Sequence, residues 1–409
     1  MSSEIAEKGQ IGIVSTNETP TPAKGNVHYV NRNGDDTPKS FEEVIPGYDA
    51  TLMGARATLS SAEEKKLLRR IDWHLIPLLA VIYMLKSVDF TNVSYARTMD
   101  KGTAHNILTE LKMTSDQYNL VTTMLILTEG IFTVLLGIFT YFFLPDFPST
   151  ASWLSEKEKA FTQARLPSNS PRAAESNFNL RELITTLKNK RIWLFLLCWA
   201  FFTIGTTGLT FYQPTVISNL GFTSMGESLL LNIPSAVFAV ILTVAFGIFA
   251  DTGRIPQPAI PLGFMIVILA CYGVLYAFPN TGGVYAATIV AGGFSTAWYT
   301  MMWPWRVQTT EGATGSAFAI AFANSYGQIG GAVGSQLFNS RFAPRYATSF
   351  GIAMGFVGMA IIMNIITWAF TWRVDVDTRR LKRIRLAAAK ENQAVLDDVD
   401  IHAGEKKNR

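Results

Sequence analysis

By hydrophobic pattern the 409-residue chain reads as a polar start, eight apolar stretches divided by polar segments, and a polar end. The run at 120–144, LVTTMLILTEGIFTVLLGIFTYFFL, is long enough to cross a bilayer once as a helix. One apolar stretch precedes it, at about 71–95, and six follow, at about 192–217, 227–250, 258–278, 282–303, 313–338 and 347–372. A backbone in hydrocarbon must satisfy its own N–H and C=O groups, so each stretch is expected to be a helix. The pattern predicts an all-α integral membrane protein with about eight transmembrane helices.

The polar segments carry their own signals. Residues 1–59 are rich in Ser, Thr, Pro, Gly, Asn and acids without periodicity, which predicts a disordered cytoplasmic tail with no cleaved signal peptide. The sequon Asn17-Glu18-Thr19 is then expected to stay unglycosylated. Ser60 and Ser61 stand three residues ahead of Glu63 and Glu64, a capping-box signature. It opens a short amphipathic helix carrying Lys65, Lys66, Arg69 and Arg70, placed at the interface. Leu144-Pro145-Asp146-Phe147-Pro148 stops the 120–144 helix, and a long polar connection with a second capping box, Ser155 to Glu158, leads to 191.

Charge sets the sidedness. Lys157, Lys159, Arg165, Arg172, Arg181, Lys188, Lys190 and Arg191 place 145–191 in the cytoplasm. Parity then puts 218–226 and 279–281, which hold no Lys or Arg, outside, and Arg254, Arg306 and the 373–385 cluster inside. Two loops run contrary: 97–119 with Arg97, Lys101 and Lys112, and 339–346 with Arg341 and Arg345. On balance both termini are expected in the cytoplasm.

Composition agrees: 49% hydrophobic, 16% charged and a mean hydropathy of +0.21 exclude an ordinary soluble domain. Cys198 and Cys271 lie in apolar runs and predict no disulfide, and the four scattered histidines predict no metal site. No nucleophile, base and orienter spacing is visible, so no enzyme, cofactor or nucleic-acid partner is expected.

Polar groups inside the apolar runs are the candidate chemistry. Glu129 is the one residue charged at neutral pH in 120–144, and such a charge costs about 2.5 kcal/mol or more at the membrane centre. It reads as a proton carrier or as a hydrogen-bonded packing group. Lys86, Asp89 and Asn92 share a face, either bundle-facing or snorkelling. Asp89, Asn92 and Glu129 are the candidate proton-coupling cluster. Gln213, Asn232, Trp298, Asn324 and Gln328 offer amides and an aromatic surface and are the candidate substrate contacts, with Arg306 a weaker one. Pro214 and Pro234 lie beside two of them, and Gly327, Gly330, Gly331 and Gly334 fit close helix packing.

The stretch 63–72 (EEKKLLRRID) leading into 89–97 (DFTNVSYAR) resembles the first helix of fungal major facilitator transporters of the allantoate permease, or anion:cation symporter, family. Glu129-Gly130-Ile131, 144–148 (LPDFP), Phe211-Tyr212-Gln213-Pro214, 247–254 (GIFADTGR), Trp303-Pro304-Trp305-Arg306, 324–331 (NSYGQIGG) and Ala343-Pro344-Arg345-Tyr346 carry the resemblance over most of 60–373. Phe90 stands where the family usually has Arg, and the family's interhelix motif survives only as a shortened copy, Gly247, Asp251, Gly253 and Arg254.

Asp116-Gln117-Tyr118-Asn119 resembles the opening of the family's second helix and Glu129-Gly130-Ile131 part of its sixth, yet here one helix holds both. The resemblance therefore implies a twelve-helix fold shortened by four crossings, joined near 123–127, with every downstream loop on its native side. It divides the chain into a tail (1–59), a residual N-terminal half (60–144), a central loop (145–191), a complete six-helix C-terminal half (192–373) and a second tail (374–409). The implied function is proton-coupled uptake of a small organic anion such as allantoate or nicotinate across the plasma membrane. The alternative is a truncated splice or gene-model product that inserts without transporting. With half the fold reduced, the face holding Gln213, Asn232, Asn324 and Gln328 is expected to open to lipid unless a second copy covers it as a homo-oligomer.

Overall fold

The computed structural model describes residues 27–30, 36–39, 59, 61–96, 105–114, 117–118, 120, 151–165, 180–219, 230–307, 313–338, 340–342, 345–390 and 394–397. The helices are α1 (Ser61–Ala96), α2 (Ile107–Glu110), α3 (Glu156–Arg165), α4 (Leu180–Lys188), α5 (Lys190–Asn219), α6 (Ile233–Asp251), α7 (Ala259–Ala277), α8 (Thr281–Val307), α9 (Ala313–Gln336) and α10 (Ala347–Lys390), with a 3-10 turn at Ser340–Phe342. Four described helices are long and apolar enough to cross a membrane: Lys190–Pro214 of α5, then α6, α7 and α10. α8 and α9 cover the stretches expected at 282–303 and 313–338, where Gly, Ser and Thr dilute the apolar residues. The run at 120–144 lies outside the described residues except Leu120.

Helices α5 to α10 form one packed unit. α5 packs against both α9 and α10, α7 against α8 and α10, and α6 against α8. Lipid is as apolar as leucine, so association inside a bilayer rests on close contact and hydrogen bonds rather than on escape from water. The chain supplies both. Gly205 lets α10 approach α5, since a Cβ there would lie 2.9 Å from Val357 Cγ2 and 3.1 Å from the Ala353 carbonyl oxygen. Tyr272 of α7 donates its hydroxyl to the Gly205 carbonyl at 3.1 Å, and Trp305 Nε1 donates to Thr371 Oγ1 at 3.2 Å. Phe202, Tyr272, Trp298, Trp305, Phe338 and Phe350 fill the interior.

The turns sort to two ends. The α6–α7 turn meets the far part of α10, where Gln257 N donates to Asp375 Oδ1 at 3.0 Å. At the other end the exposed Arg345 guanidinium lies 5.4 Å from the centre of the Phe278 ring, so 345–346 meets the turn after α7. This is the alternation that the sequence parity requires.

Three features revise the sequence reading. First, the amphipathic segment and the first crossing are one helix, α1, because nothing between Ser61 and Ala96 breaks it and Pro77 is carried inside it. Its start is held to the central loop: Leu67 packs with Ala151, Leu154 and Phe161, His74 stacks on Trp153 with ring centres 4.4 Å apart, and Arg70 pairs with Glu158. Glu158 also closes the expected capping box, accepting from Ser155 N at 3.0 Å and Ser155 Oγ at 2.9 Å.

Second, the helix that holds the last crossing does not stop near Trp372. α10 continues to Lys390, and its 44 residues reach about 66 Å, roughly twice the hydrocarbon thickness. Residues 373–390 contain no Gly or Pro and are dominated by Arg, Lys, Leu and Ala, all good helix formers. Third, three short strands, β1 (Val27–Val30), β2 (Asp36–Lys39) and β3 (Ala394–Asp397), pair in the order β2-β1-β3, with β1 antiparallel to β2 and parallel to β3. Segments read as an N-terminal disordered tail and a C-terminal tail thus meet through backbone pairing, which composition does not register.

Candidate functional site

One of the sequence candidates, Gln213, meets Ser235 and Gly292 at a junction of α5, α6 and α8. Gln213, Asn232 and Ser235 are all buried, and Gly292 on α8 makes room for Gln213 and Ser235. A Cβ at 292 would lie 2.5 Å from Ser235 Oγ and 2.8 Å from Gln213 Oε1. Ser235 Oγ donates to the Ile289 carbonyl at 3.3 Å, and Tyr285 donates to the Leu231 carbonyl at 3.1 Å, which ties the start of α6 to α8. Asn232 is the N-cap residue of α6, with proline following in the first turn. The expectation that Gln213 and Asn232 open to lipid is therefore corrected: both are buried within the chain. Gly292 stands on another helix, far from both residues in sequence, and a glycine carries no partner information on its own.

Trp298 is fully enclosed, stacked on Phe202 with ring centres 3.6 Å apart and edge-on to Trp199 at 5.2 Å. Among the described residues its indole N–H has no partner, and the same is true of Ser295 Oγ one turn earlier on α8. Arg306 is buried at the end of α8, its guanidinium 5.3 Å from the centre of the Trp303 ring. This placement makes it an internal cation rather than a surface one.

Asn324 behaves differently, standing exposed on α9 beside exposed Ser325. Exposed hydroxyls also occur at Thr210 on α5 and at Thr296 and Thr300 on α8. The hydroxyls return to their own helices: Thr210 to the Thr206 carbonyl at 3.4 Å, Thr296 to Gly292 at 3.1 Å, Thr300 to Ala297 at 2.7 Å and Ser325 to Ala321 at 3.1 Å. Such back-bonds lower the cost of a polar group at membrane depth. The Asn324 amide has no such outlet among the described residues. The threonines were missed from sequence because a threonine in an apolar run looks ordinary until its face is known.

The interhelix motif is split. Gly253 has φ +65°, and a Cβ there would lie 3.0 Å from the Arg379 carbonyl oxygen and 3.1 Å from Lys382 Cβ, so only glycine fits the turn against α10. Lys382 Nζ reaches Asp251 Oδ1 at 3.3 Å and the Ala250 carbonyl at 3.4 Å, where it caps the end of α6. Gly247 has nothing within 4 Å of a Cβ position, and Arg254 is exposed. Asp375, buried, anchors the opposite side through Arg379 Nε at 3.0 Å. Asp89 and Asn92 lie on α1 with side chains outside the described set, as does that of Gln328 on α9. Glu129 lies outside the described residues altogether.

A bundle of long apolar helices joined by close glycine contacts, with polar groups gathered at helix junctions and on exposed helix faces, defines an integral membrane protein of the polytopic helical class. Residues 111–335, just over half of the chain, match the Major Facilitator Superfamily, and the chain belongs to that family. It is 30% identical to the allantoate permease of Saccharomyces cerevisiae over 127 residues, 31% of this chain and 23% of the permease. An uncharacterized transporter of Schizosaccharomyces pombe is 27% identical over 127 residues, 31% of this chain and 25% of that protein. The MFS-type transporter cnsL of Penicillium expansum is 23% identical over 313 residues, 55% of this chain and 63% of the relative. In each case the chain covers less than two thirds of the relative's length. No solved structure matches.

Proposed function

We propose that the chain is a secondary active transporter, a proton-coupled permease for a small organic anion such as allantoate, nicotinate or a related carboxylate. The observation that carries this reading is the exposed amide of Asn324 together with the hydroxyls of Thr210, Thr296 and Thr300, on the three helices α5, α8 and α9. Polar groups at this depth are stable where they face water or another protein segment, not lipid. A substrate path along them is the arrangement that uses all four. The similarity to Major Facilitator Superfamily transporters supports a membrane transporter, and the organic-anion substrate is proposed from the motif resemblance alone. Gln213, Asn232 and Ser235 lie behind the path as a hinge-like junction at Pro214, and Trp298 as its packed wall. Asp89, Asn92 and Glu129 remain the proposed proton-coupling group. The parallel pairing of β1 with β3 supports placing both termini on one side of the membrane, which the charge pattern makes the cytoplasm.

A second reading is a shortened product that inserts but does not transport. It is favoured by the joining of two family motifs within 116–131 and by the small share of each relative that the chain covers. Proteoliposomes holding only this polypeptide separate the two. Under the permease reading, an inward proton gradient drives saturable uptake of labelled allantoate or nicotinate that a protonophore abolishes and that Asn324→Leu reduces at least tenfold. Uptake no greater than in empty vesicles refutes transport and leaves the inserted, inactive product.

A further inference from the structure

The nine-residue helix α4, LRELITTLK, has a strongly one-sided distribution of apolar residues, yet only part of that side is covered. Thr186 faces α9, with its Oγ1 2.7 Å from where a Cβ on Gly315 would stand, and Leu183 and Leu187 are half-buried. Leu180 and Ile184 stay 58% and 43% exposed. They stand at i and i+4, and exposed Lys188 continues the same row at i+8.

Asn189 separates α4 from α5 and fixes the junction: its side chain accepts from Arg191 N at 3.0 Å, and its own N–H donates to the Thr186 carbonyl at 3.1 Å. Immediately beyond it, Trp193 and Leu197 of α5 are each 42% exposed, and Trp193 Nε1 donates to the Leu187 carbonyl at 2.8 Å. The exposed edge of α4 is thus continuous with the apolar, outward surface of a membrane-crossing helix. Exposed Lys188 and Lys190 flank the junction, with exposed Arg181 about two turns back on α4.

An apolar edge joined to the lipid-facing side of a crossing and bordered by lysines is the arrangement that lies in a membrane interface. We propose that α4 is an interfacial helix, with Leu180 and Ile184 seated at the boundary between headgroups and acyl chains, and Lys188 and Lys190 on the phosphates of anionic phospholipids. The lysine stems reach along apolar surface while the ammonium groups meet the phosphate layer. The occupant is lipid, because the patch continues the surface that α5 presents to the bilayer. The inference rests on the membrane-crossing fold and holds whether or not the chain transports.

The test places bimane on Ile184→Cys in a Cys198→Ala, Cys271→Ala background, with Leu180→Cys as a second probe on the same row and Thr185→Cys as the off-row control. Each protein is reconstituted in phosphatidylcholine alone or mixed equally with phosphatidylserine, and quenching by acyl-brominated lipid is measured. Probes at 184 and 180 should be blue-shifted and quenched at least threefold more than the probe at 185. Lys188→Glu with Lys190→Glu should halve that quenching in phosphatidylserine vesicles and leave it unchanged in phosphatidylcholine alone. Equal quenching at 184 and 185 overturns the seating. Shielded but unquenched probes on the row show that protein covers the patch, which also overturns it. Quenching insensitive to the charge reversal overturns the anionic-lipid contact.

Discussion

Replacing Gly334 by alanine tests whether α5 and α9 are held by close backbone approach. Gly330 and Gly334 stand one turn apart on α9, facing Thr203 and Ile204 of α5. At 334 a Cβ would lie 2.8 Å from the Ile204 carbonyl oxygen and 3.4 Å from that of Thr203. Both are backbone atoms, so no rotamer change relieves the contact and the helices must move apart. The neighbouring seam is tight as well: Gly208 has the Gly334 carbonyl oxygen at 2.8 Å and the Phe338 ring at 2.5 Å from its own Cβ position. Overpacking of this kind costs about 1–3 kcal/mol. Alanine recovers roughly 0.5–1 kcal/mol of helix propensity over glycine. The net loss centres near about 1 kcal/mol, and at roughly 2–4 °C per kcal/mol the unfolding midpoint should fall by a few degrees. Gly263→Ala on α7 and Gly355→Ala on α10 are the controls, because nothing lies within 4 Å of either Cβ position. Their midpoints should stay level or rise. Thermal unfolding of purified protein, followed by tryptophan fluorescence, reads all three variants. A Gly334→Ala midpoint at or above that of Gly263→Ala refutes the close-approach account.

The clasp between α1 and α3 should depend on pH through Glu158. Burial alone would raise its pKa, but hydrogen bonds from Ser155 and Arg70 and the Arg70 charge outweigh that and hold the carboxyl below its ordinary 4.5. A depressed carboxylate stabilises the folded state above its unfolded pKa, and that contribution is lost as pH falls through the folded value. Spin labels at Lys66→Cys and Lys157→Cys should give one narrow distance at neutral pH that broadens below about pH 4, while Glu158→Gln broadens it throughout. Invariance to both changes rejects the clasp. Asn364 is fully buried on α10 with neither amide atom partnered among the described residues, so Asn364→Leu should raise the unfolding midpoint by removing a desolvation cost of about 1–3 kcal/mol. A fall instead shows that an ordered water completes the amide.

The apolar pattern by itself determined where the C-terminal helices lie, because a bilayer fixes both the length and the composition of a crossing. Local spacing was equally reliable at Ser155 and Glu158, where a capping box needs only four consecutive residues to form. Glycine spacing on α9 announced close packing but not its partner. Which face of a helix meets which neighbour depends on contacts far apart in sequence, and there only the tertiary structure could decide. It set Gln213 and Ser235 against Gly292, buried Asn232 at the start of α6, and turned Thr210, Thr296, Thr300 and Asn324 outward. Beyond Trp372 the hydrophobic signal ends, although helix propensity and the Asp375–Arg379 pair carry α10 on to Lys390. There Gly253 and Lys382 lock the α6–α7 turn to the extended helix, a contact between residues more than a hundred positions apart.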